Sequence, residues 1–277
     1  MTGSRMNNNR ILDMHRYLKG QELYGDNFTQ QEIIEWFADE ENAYSKLWVG
    51  YGDSHTYEFH ALNTALLFKH LPDVSFESVL GFGSAHGDEF LPIINLIKSL
   101  TIVEPSEIFI RDSILNIPVK YIKPRPEGCL PFPDNNFDLV TCLSALHHIP
   151  NVSFVLSEIS RVIKPNGYLL LREPIESMGD WEKPRKGLTK RERGIPLHIL
   201  RYILDSCHLQ IIKDSYCVFA ITPYLFQRIK PDYFNSKLIV LIDRILSHTF
   251  RWNTIYHPHN FFQRLRPKCI AFVLKKQ

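Results

Sequence analysis

Ser78-Val79-Leu80-Gly81-Phe82-Gly83-Ser84-Ala85-His86-Gly87 reads as a short strand running straight into a glycine-rich turn. Glycine has no Cβ, so such a turn lets a ligand approach the backbone, and the amides beyond it can hold ligand oxygens. An apolar segment continues to Leu100. A second short strand, Thr101-Ile102-Val103, then ends in Glu104-Pro105. A carboxylate closing the second strand about 20 residues after the turn is placed to accept hydrogen bonds from ribose hydroxyls. The turn alone says little. With Glu104 it indicates a nucleoside-type cofactor, either NAD or S-adenosylmethionine.

Outward from this unit the strand–turn–helix pattern repeats. Val119-Lys120-Tyr121-Ile122 is a strand leading to a Pro-rich loop, and Phe137 to Leu143 is a buried strand after the turn Asp134-Asn135-Asn136. Val152 to Ile163 reads as a helix closed by Lys164-Pro165-Asn166-Gly167, with Tyr168 to Leu171 the next strand. Further on come a helix from Leu197 to Cys207, a strand from Leu209 to Ile212, a helix from Ser236 to Phe250 and a final strand from Cys269 to Leu274. Strands alternating with helices argue for an α/β fold with a mainly parallel sheet covered on both faces. Upstream, Thr29-Gln30-Gln31-Glu32 is a capping box opening a helix on which Ile33, Phe37, Tyr44 and Trp48 share a face. A second helix runs from near Tyr57 to His70. The expected organisation is an N-terminal helical cap over 1–75 and an α/β domain over 76–277. Within that domain, 176–196 is a lid and 224–266 a helical insertion.

With 44% hydrophobic and 22% charged residues in 277, the chain can bury a sizeable core. Its net charge of +2 gives no reason to expect nucleic acid as a partner. The charge is unevenly spread: Gln21 to His60 holds nine acidic residues and one basic, and Ile221 to Gln277 holds ten basic and two acidic. A basic C-terminal face suits an anionic partner or is simply solvated. Five scattered cysteines, an odd number without a CxxC pair, indicate neither a disulfide framework nor zinc. The polar N-terminus lacks a signal peptide's apolar stretch, and no apolar run reaches the roughly 20 residues of a membrane span. The cytoplasm is the expected location. The Lys- and Arg-rich stretch from Trp181 to Arg193 is either a clamp for a phosphate or carboxylate or a solvated loop. Phe250, Trp252, Tyr256, Phe261 and Phe262 are read first as core aromatics, the alternatives being stacking on a sugar or base, or an interfacial anchor. No metal site is expected, since His257 and His259 lack a neighbouring carboxylate.

Three further blocks separate the two cofactors. Leu130-Pro131-Phe132-Pro133-Asp134-Asn135-Asn136-Phe137-Asp138-Leu139-Val140 is followed by Leu146-His147-His148-Ile149-Pro150, and then by Lys164-Pro165-Asn166-Gly167-Tyr168-Leu169-Leu170-Leu171. In this order and spacing the chain resembles the small-molecule class I S-adenosylmethionine-dependent methyltransferases of the type 11 kind, from about Ser78 to Glu173. The glycine loop departs from that family, with Gly81 in place of the usual acid and Ala85 in place of the middle glycine. The missing acid is a common acceptor for the methionine amino group.

The resemblance implies a Rossmann-like, doubly wound seven-stranded sheet, mostly parallel with an antiparallel last strand, and S-adenosylmethionine as cofactor. Gly81, Phe82, Gly83, Ser84 and Gly87 would line its methionine and ribose end. Glu104 would take the ribose hydroxyls and Pro105 the adenine. Glu127, with Cys129 and Leu130, would stand near the adenine amine, and Leu143 and Ser144 would flank the sulfonium. Methyl transfer needs mainly in-line positioning, helped by a general base when the acceptor is a hydroxyl. His147, His148 and Glu173 are the candidate catalytic groups, with core packing of the histidines and pairing of Glu173 to Arg172 as their structural alternatives. The expected acceptor is an oxygen on a small molecule, saccharide or lipid precursor, and an anionic one if the basic segments reach the cleft. The competing readings are a non-catalytic descendant of the fold, an NAD-dependent oxidoreductase, and a nucleic-acid methyltransferase.

Overall fold

The computed structural model describes residues 14–49, 56–181, 183–185 and 187–277, with the backbone alone over 44–49. The strands are β1 (Val79–Phe82), β2 (Leu100–Val103), β3 (Ser113–Ile114), β4 (Ile117–Ile122), β5 (Phe137–Leu143), β6 (Ile163–Pro174), β7 (Leu209–Phe219) and β8 (Pro267–Lys276). They form one sheet in the order β3-β4-β2-β1-β5-β6-β8-β7. β4, β2, β1, β5 and β6 are mutually parallel, and β8 runs antiparallel between β6 and β7. The expected doubly wound sheet is present with one strand more than the seven anticipated. The addition is the two-residue β3, which pairs antiparallel with β4 at the edge.

The helices are α1 (Gln30–Val49), α2 (His60–Leu66), α3 (Val152–Val162), α4 (Leu197–Ser206), α5 (Thr222–Phe226), α6 (Lys237–Thr249) and α7 (Phe261–Arg264). The central strands are mostly apolar because both faces are covered. Successive side chains along a strand point to opposite faces. Leu80, Val140, Leu169 and Leu171 therefore join α3 and α4 residues in one core, while Val79, Leu139, Leu170 and Val273 join α2 and α6 in the other. After the glycine turn, where the alternation suggests a full α-helix, the chain forms 3-10 turns over Asp88–Leu96. Pro92 lies inside them and has no N–H to donate to an α-helical ladder.

The capping box at Thr29 forms as read. Glu32 accepts from the Thr29 N–H at 2.8 Å, and the Thr29 hydroxyl stands 3.4 Å from the Glu32 amide. The face that α1 buries centres on Trp36 and Glu40, whereas the side chains of Tyr44 and Trp48 lie outside those described. No helix among the described residues is long and apolar enough to cross a membrane. The described residues of 176–196 are irregular, with Trp181, Arg193 and Ile195 buried. Of the C-terminal aromatics expected to be core, Tyr256 is buried and Phe250 is half-buried against Phe219. Trp252, Phe261 and Phe262 are 76%, 67% and 78% exposed. The Asn253 side chain ties this lobe together, its amide donating to the Phe262 and Leu265 carbonyls at 2.9 Å.

A second polar anchor sets α6 on the sheet. Val218 has φ +56°, an outlying conformation for a β-branched residue. The fully buried Asp243 carboxylate of α6 accepts the Val218 and Phe219 amides, at 2.9 and 2.7 Å, and the Thr222 hydroxyl at 2.7 Å. Replacing Asp243 by Ala orphans two amides at a strained position, and each is expected to cost about 1–3 kcal/mol. A fall of this size in urea-unfolding stability is the expected result, and a change under about 0.5 kcal/mol would contradict the assignment.

Candidate active site

The strand order reverses beside β1, with β2 on one side and β5 on the other, so a crevice opens at their carboxyl ends. Gly83 leaves β1 with φ +65°, and a Cβ there would stand 2.7 Å from the Ala145 methyl, across the crevice. Glu104 leaves β2 beneath it. Its carboxylate accepts the Ala85 amide at 3.1 Å and the Ser106 amide at 3.2 Å. Ala85, where the family carries its middle glycine, keeps the left-handed conformation at φ +45°, so the turn and its bond to Glu104 survive the substitution. Burial pushes the Glu104 carboxyl up to about 7 against the opposing pull of these two amides. The cleft has about 900 Å³ of empty space, part of it open to solvent.

The far wall is the turn after β5, and opposite charges hold it from two sides. Glu173, on β6, is fully buried, and its carboxylate accepts the Ala145 and Leu146 amides, both at 2.8 Å. Its other oxygen lies 2.9 Å from His147 Nδ1. Arg193, also fully buried, donates to the carbonyls of Leu146, His147, Ile149 and Pro150 at 2.9–3.4 Å. Its Nε donates to the Tyr24 carbonyl at 2.9 Å, and the guanidinium lies 5.3 Å from the Trp36 ring. The amides of the turn face an anion and its carbonyls a cation.

The two histidines diverge from this turn. His147 is buried, with Nδ1 on Glu173 and Nε2 3.6 Å from a Glu192 oxygen. His148 reaches the cleft, and its Nδ1 lies 2.9 Å from Glu40 of α1. Burial opposes a charge on His148, but the Glu40 bond and the nearby carboxylates of Glu192 and Glu173 outweigh it and raise its pKa. Glu40 also accepts from the Thr189 hydroxyl at 2.8 Å, so α1 and the 176–196 segment meet over His148. Ligand atoms of His147, His148 and Glu192 all lie within 4.8 Å of one another, close enough to surround an ion, although no metal was expected from the sequence.

Of the expected cofactor residues, the structure brings Phe82, Gly83, Glu104, Pro105 and Ser144 to the cleft, together with the candidate base His148. The others fall elsewhere. A Cβ on Gly81 would meet the Ser84 hydroxyl at 2.5 Å, and Ser84 itself donates to the buried Glu89 at 3.0 Å. Gly87 backs onto Ile114 and Ile102. Glu127 accepts from Gln30 at 3.3 Å; Cys129 is half-buried and not among the lining residues; Leu130 and Leu143 are core residues. Glu173 lies under the turn and not in the cleft, and it does not pair with Arg172. Successive strand residues face opposite ways, and Arg172 instead donates to Asn63 and Ser144 at 2.8 and 3.2 Å and stacks on Phe59. Glu89 does not take the lost acid's place: it lies beneath the glycine turn, hydrogen-bonded by Ser84 and Thr141. The reading missed Phe37, Glu40 and Arg125, which also line the cleft. The only prior signal for them was the α1 capping box and the Pro-rich loop.

Residues 80–171 match the family model described as a methyltransferase domain. Two relatives are similar over part of their length. A phthiotriol/phenolphthiotriol dimycocerosates methyltransferase of Mycobacterium ulcerans is 36% identical over 84 residues, 28% of this chain and 31% of the relative. A sterol 4-C-methyltransferase of Caenorhabditis elegans is 35% identical over 83 residues, 29% of this chain and 23% of the relative. The matched region thus spans less than a third of either relative's length. The crystal structure of an S-adenosylmethionine dependent methyltransferase from Mesorhizobium loti superposes with a TM-score of 0.52 at 14% identity, covering 78% of this chain and 98% of that one. Residues 80–171 thus match a methyltransferase domain, and the sheet built around them has the fold of S-adenosylmethionine-dependent methyltransferase structures.

Proposed function

We propose that the chain transfers a methyl group from S-adenosylmethionine to a hydroxyl of a small, lipid-like acceptor. The observation that carries this reading is Glu104: a buried carboxylate at the strand end, bound by two backbone amides and lining the cleft. A carboxylate has about four acceptor positions, so ribose hydroxyls fit on those that remain. Gly83 leaves the backbone bare beside it, and Ser144 stands opposite. When bound, the cofactor supplies an activated methyl on sulfur. The chain's part is to orient the acceptor, exclude water and receive a proton.

His148 is the group placed for the proton, since it is the histidine that lines the cleft. Glu40 holds its Nδ1 and Glu173, through His147 and the turn, fixes the backbone it stands on. His147, enclosed between Glu173 and Glu192, orients the turn. The cap over 1–75 and the segment 176–196 would close over the acceptor, in keeping with Phe37 and Glu40 at the cleft wall. An anionic acceptor has weaker support. Arg185 donates to four backbone carbonyls, and Lys190 and Arg191 lie on Asp39. The lipid-like class is favoured by the sterol and dimycocerosate names of the two relatives.

The test of the whole reading is incubation with labelled S-adenosylmethionine and a fractionated cell extract, followed by partition of the product between solvent and water. Label in no fraction, or on protein or nucleic acid, contradicts it. Calorimetric titration should show binding of S-adenosylhomocysteine and none of NAD, the reverse being expected of an oxidoreductase.

Two predictions are specific to residues. Ribose hydroxyls need the ionised Glu104, whose pKa in the free protein is about 7. Affinity for S-adenosylhomocysteine should therefore be level above that pH and fall as pH drops below it, approaching about tenfold per unit. Glu104→Gln should weaken binding about tenfold or more and flatten this dependence. Calorimetry across pH 5–9 reads both, and an unaltered profile in the variant refutes the ribose assignment. For His148, a base must be neutral to accept a proton, so its raised pKa predicts a kcat that rises with pH through a value above the usual histidine range of about 6.5. His148→Asn should lower kcat about 10²–10⁴-fold with cofactor affinity largely kept. Equal loss in both quantities would instead mark a binding role.

A further inference from the structure

The helix α6 is apolar on two sides. Ile239 and Val240 are buried towards the sheet, as a core-facing helix requires. On the other side Leu238, Leu241 and Ile245 follow one another at helical spacing and are 66%, 50% and 57% exposed. A helix on a protein surface ordinarily carries polar residues there. Trp252, beyond its end, is exposed too, and the Asn253 side chain ties that point to α7 with its exposed Phe261 and Phe262. Scattered exposed apolar groups are normal, but a cluster of this kind marks an interaction surface.

Positive charge is interleaved with it. Between β7 and α6 a groove gathers Leu241, Ile245 and Trp252 with Lys213, Arg244 and Arg251. The acidic residue of the groove, Asp214, is already paired with Arg201. Lys69 and His70 are close by, and burial together with the charges of Arg244 and Lys213 holds both below their usual range. Among the lining residues of the groove, no acid other than Asp214 stands by Lys213, Arg244 and Arg251 as a counter-charge. A symmetric contact with a second copy would not supply one, because the 221–277 segment holds ten basic residues and two acidic.

We propose that this face docks the protein on an anionic lipid bilayer, with Trp252, Leu241 and Ile245 entering the headgroup layer and Lys213, Arg244 and Arg251 meeting lipid phosphates. The proposal does not depend on methyl transfer, because it concerns a surface on β7 and α6 and not the crevice over β1, β2 and β5.

The test is co-sedimentation of the full chain with phosphatidylcholine vesicles, alone or with about one-third phosphatidylglycerol. Binding to the anionic vesicles should be at least about tenfold tighter and should weaken with salt. The double variant R244E/R251E should lower it about tenfold or more, and Trp252→Ser about three- to tenfold. Arg251 and Trp252 are exposed, Arg244 is half-buried, and none of the three lines the crevice, so S-adenosylhomocysteine binding and the thermal midpoint should be kept and separate this result from any failure of the catalytic reading. Equal partition onto both vesicle types, or onto neither, overturns the proposal. So does a change of oligomeric state in L241S/I245S by size-exclusion chromatography, which would make the face a contact between copies.

Discussion

The turn at 144–150 is held between a buried anion and a buried cation. Glu173 collects its amides and Arg193 its carbonyls. Each charge is taken out of water, which is costly unless hydrogen bonds replace the lost solvation. Here the backbone dipoles of a single turn provide them for both. Charge-assisted bonds of this kind are each worth about 1.5–3 kcal/mol net, and they come from three separate parts of the chain: β6, the 176–196 segment and the turn itself.

That arrangement positions the rest of the crevice. Ser144, Ala145 and His148 face the glycine turn because their backbone cannot shift without breaking bonds to a buried charge. Arg193 extends the same constraint to the N-terminal region through the Tyr24 carbonyl and the Trp36 ring. Glu40 then comes down on His148, and Thr189 closes on Glu40. Among the described basic residues of 183–193, Arg193 ties the segment to the 144–150 turn and Lys190 and Arg191 lie on Asp39 of α1, while Arg185 binds carbonyls of the segment itself. A stretch that as sequence suits an anion clamp becomes structural once its guanidinium groups find carbonyls.

The two departures from the family's glycine loop have different outcomes. Ala85 keeps the left-handed turn at the cost of local strain, and its amide still reaches Glu104. Gly81 makes room for Ser84 to turn inward to Glu89, so a buried polar pair stands under the loop where the family carries an acid facing the ligand. The glycines therefore play unequal parts: Gly83 bares the backbone to the cleft, while Gly81 and Gly87 permit packing beneath it.

Much of the fold was legible because it depends on local patterns. Continuous apolar runs, turn residues and the spacing from Gly81 to Glu104 specify strands, loops and the strand end where a carboxylate emerges, and the LPFPDNNFDLV and KPNGYLLL blocks carry the family resemblance. Tertiary structure alone decided which side chains share the crevice. Alternation along β6 sends Arg172 and Glu173 to opposite faces, and one residue's difference in position leaves His147 enclosed and His148 in the cleft. Glu40, Glu192 and Arg193 acquire their partners only when segments up to 169 residues apart close on one another, as Arg193 does with Tyr24. The exposure of Leu241, Ile245 and Trp252 was equally invisible, since an apolar residue in sequence looks the same whether it faces a core or the solvent. Periodicity reports that a helix has an apolar face; it does not report how many faces the fold leaves without a partner.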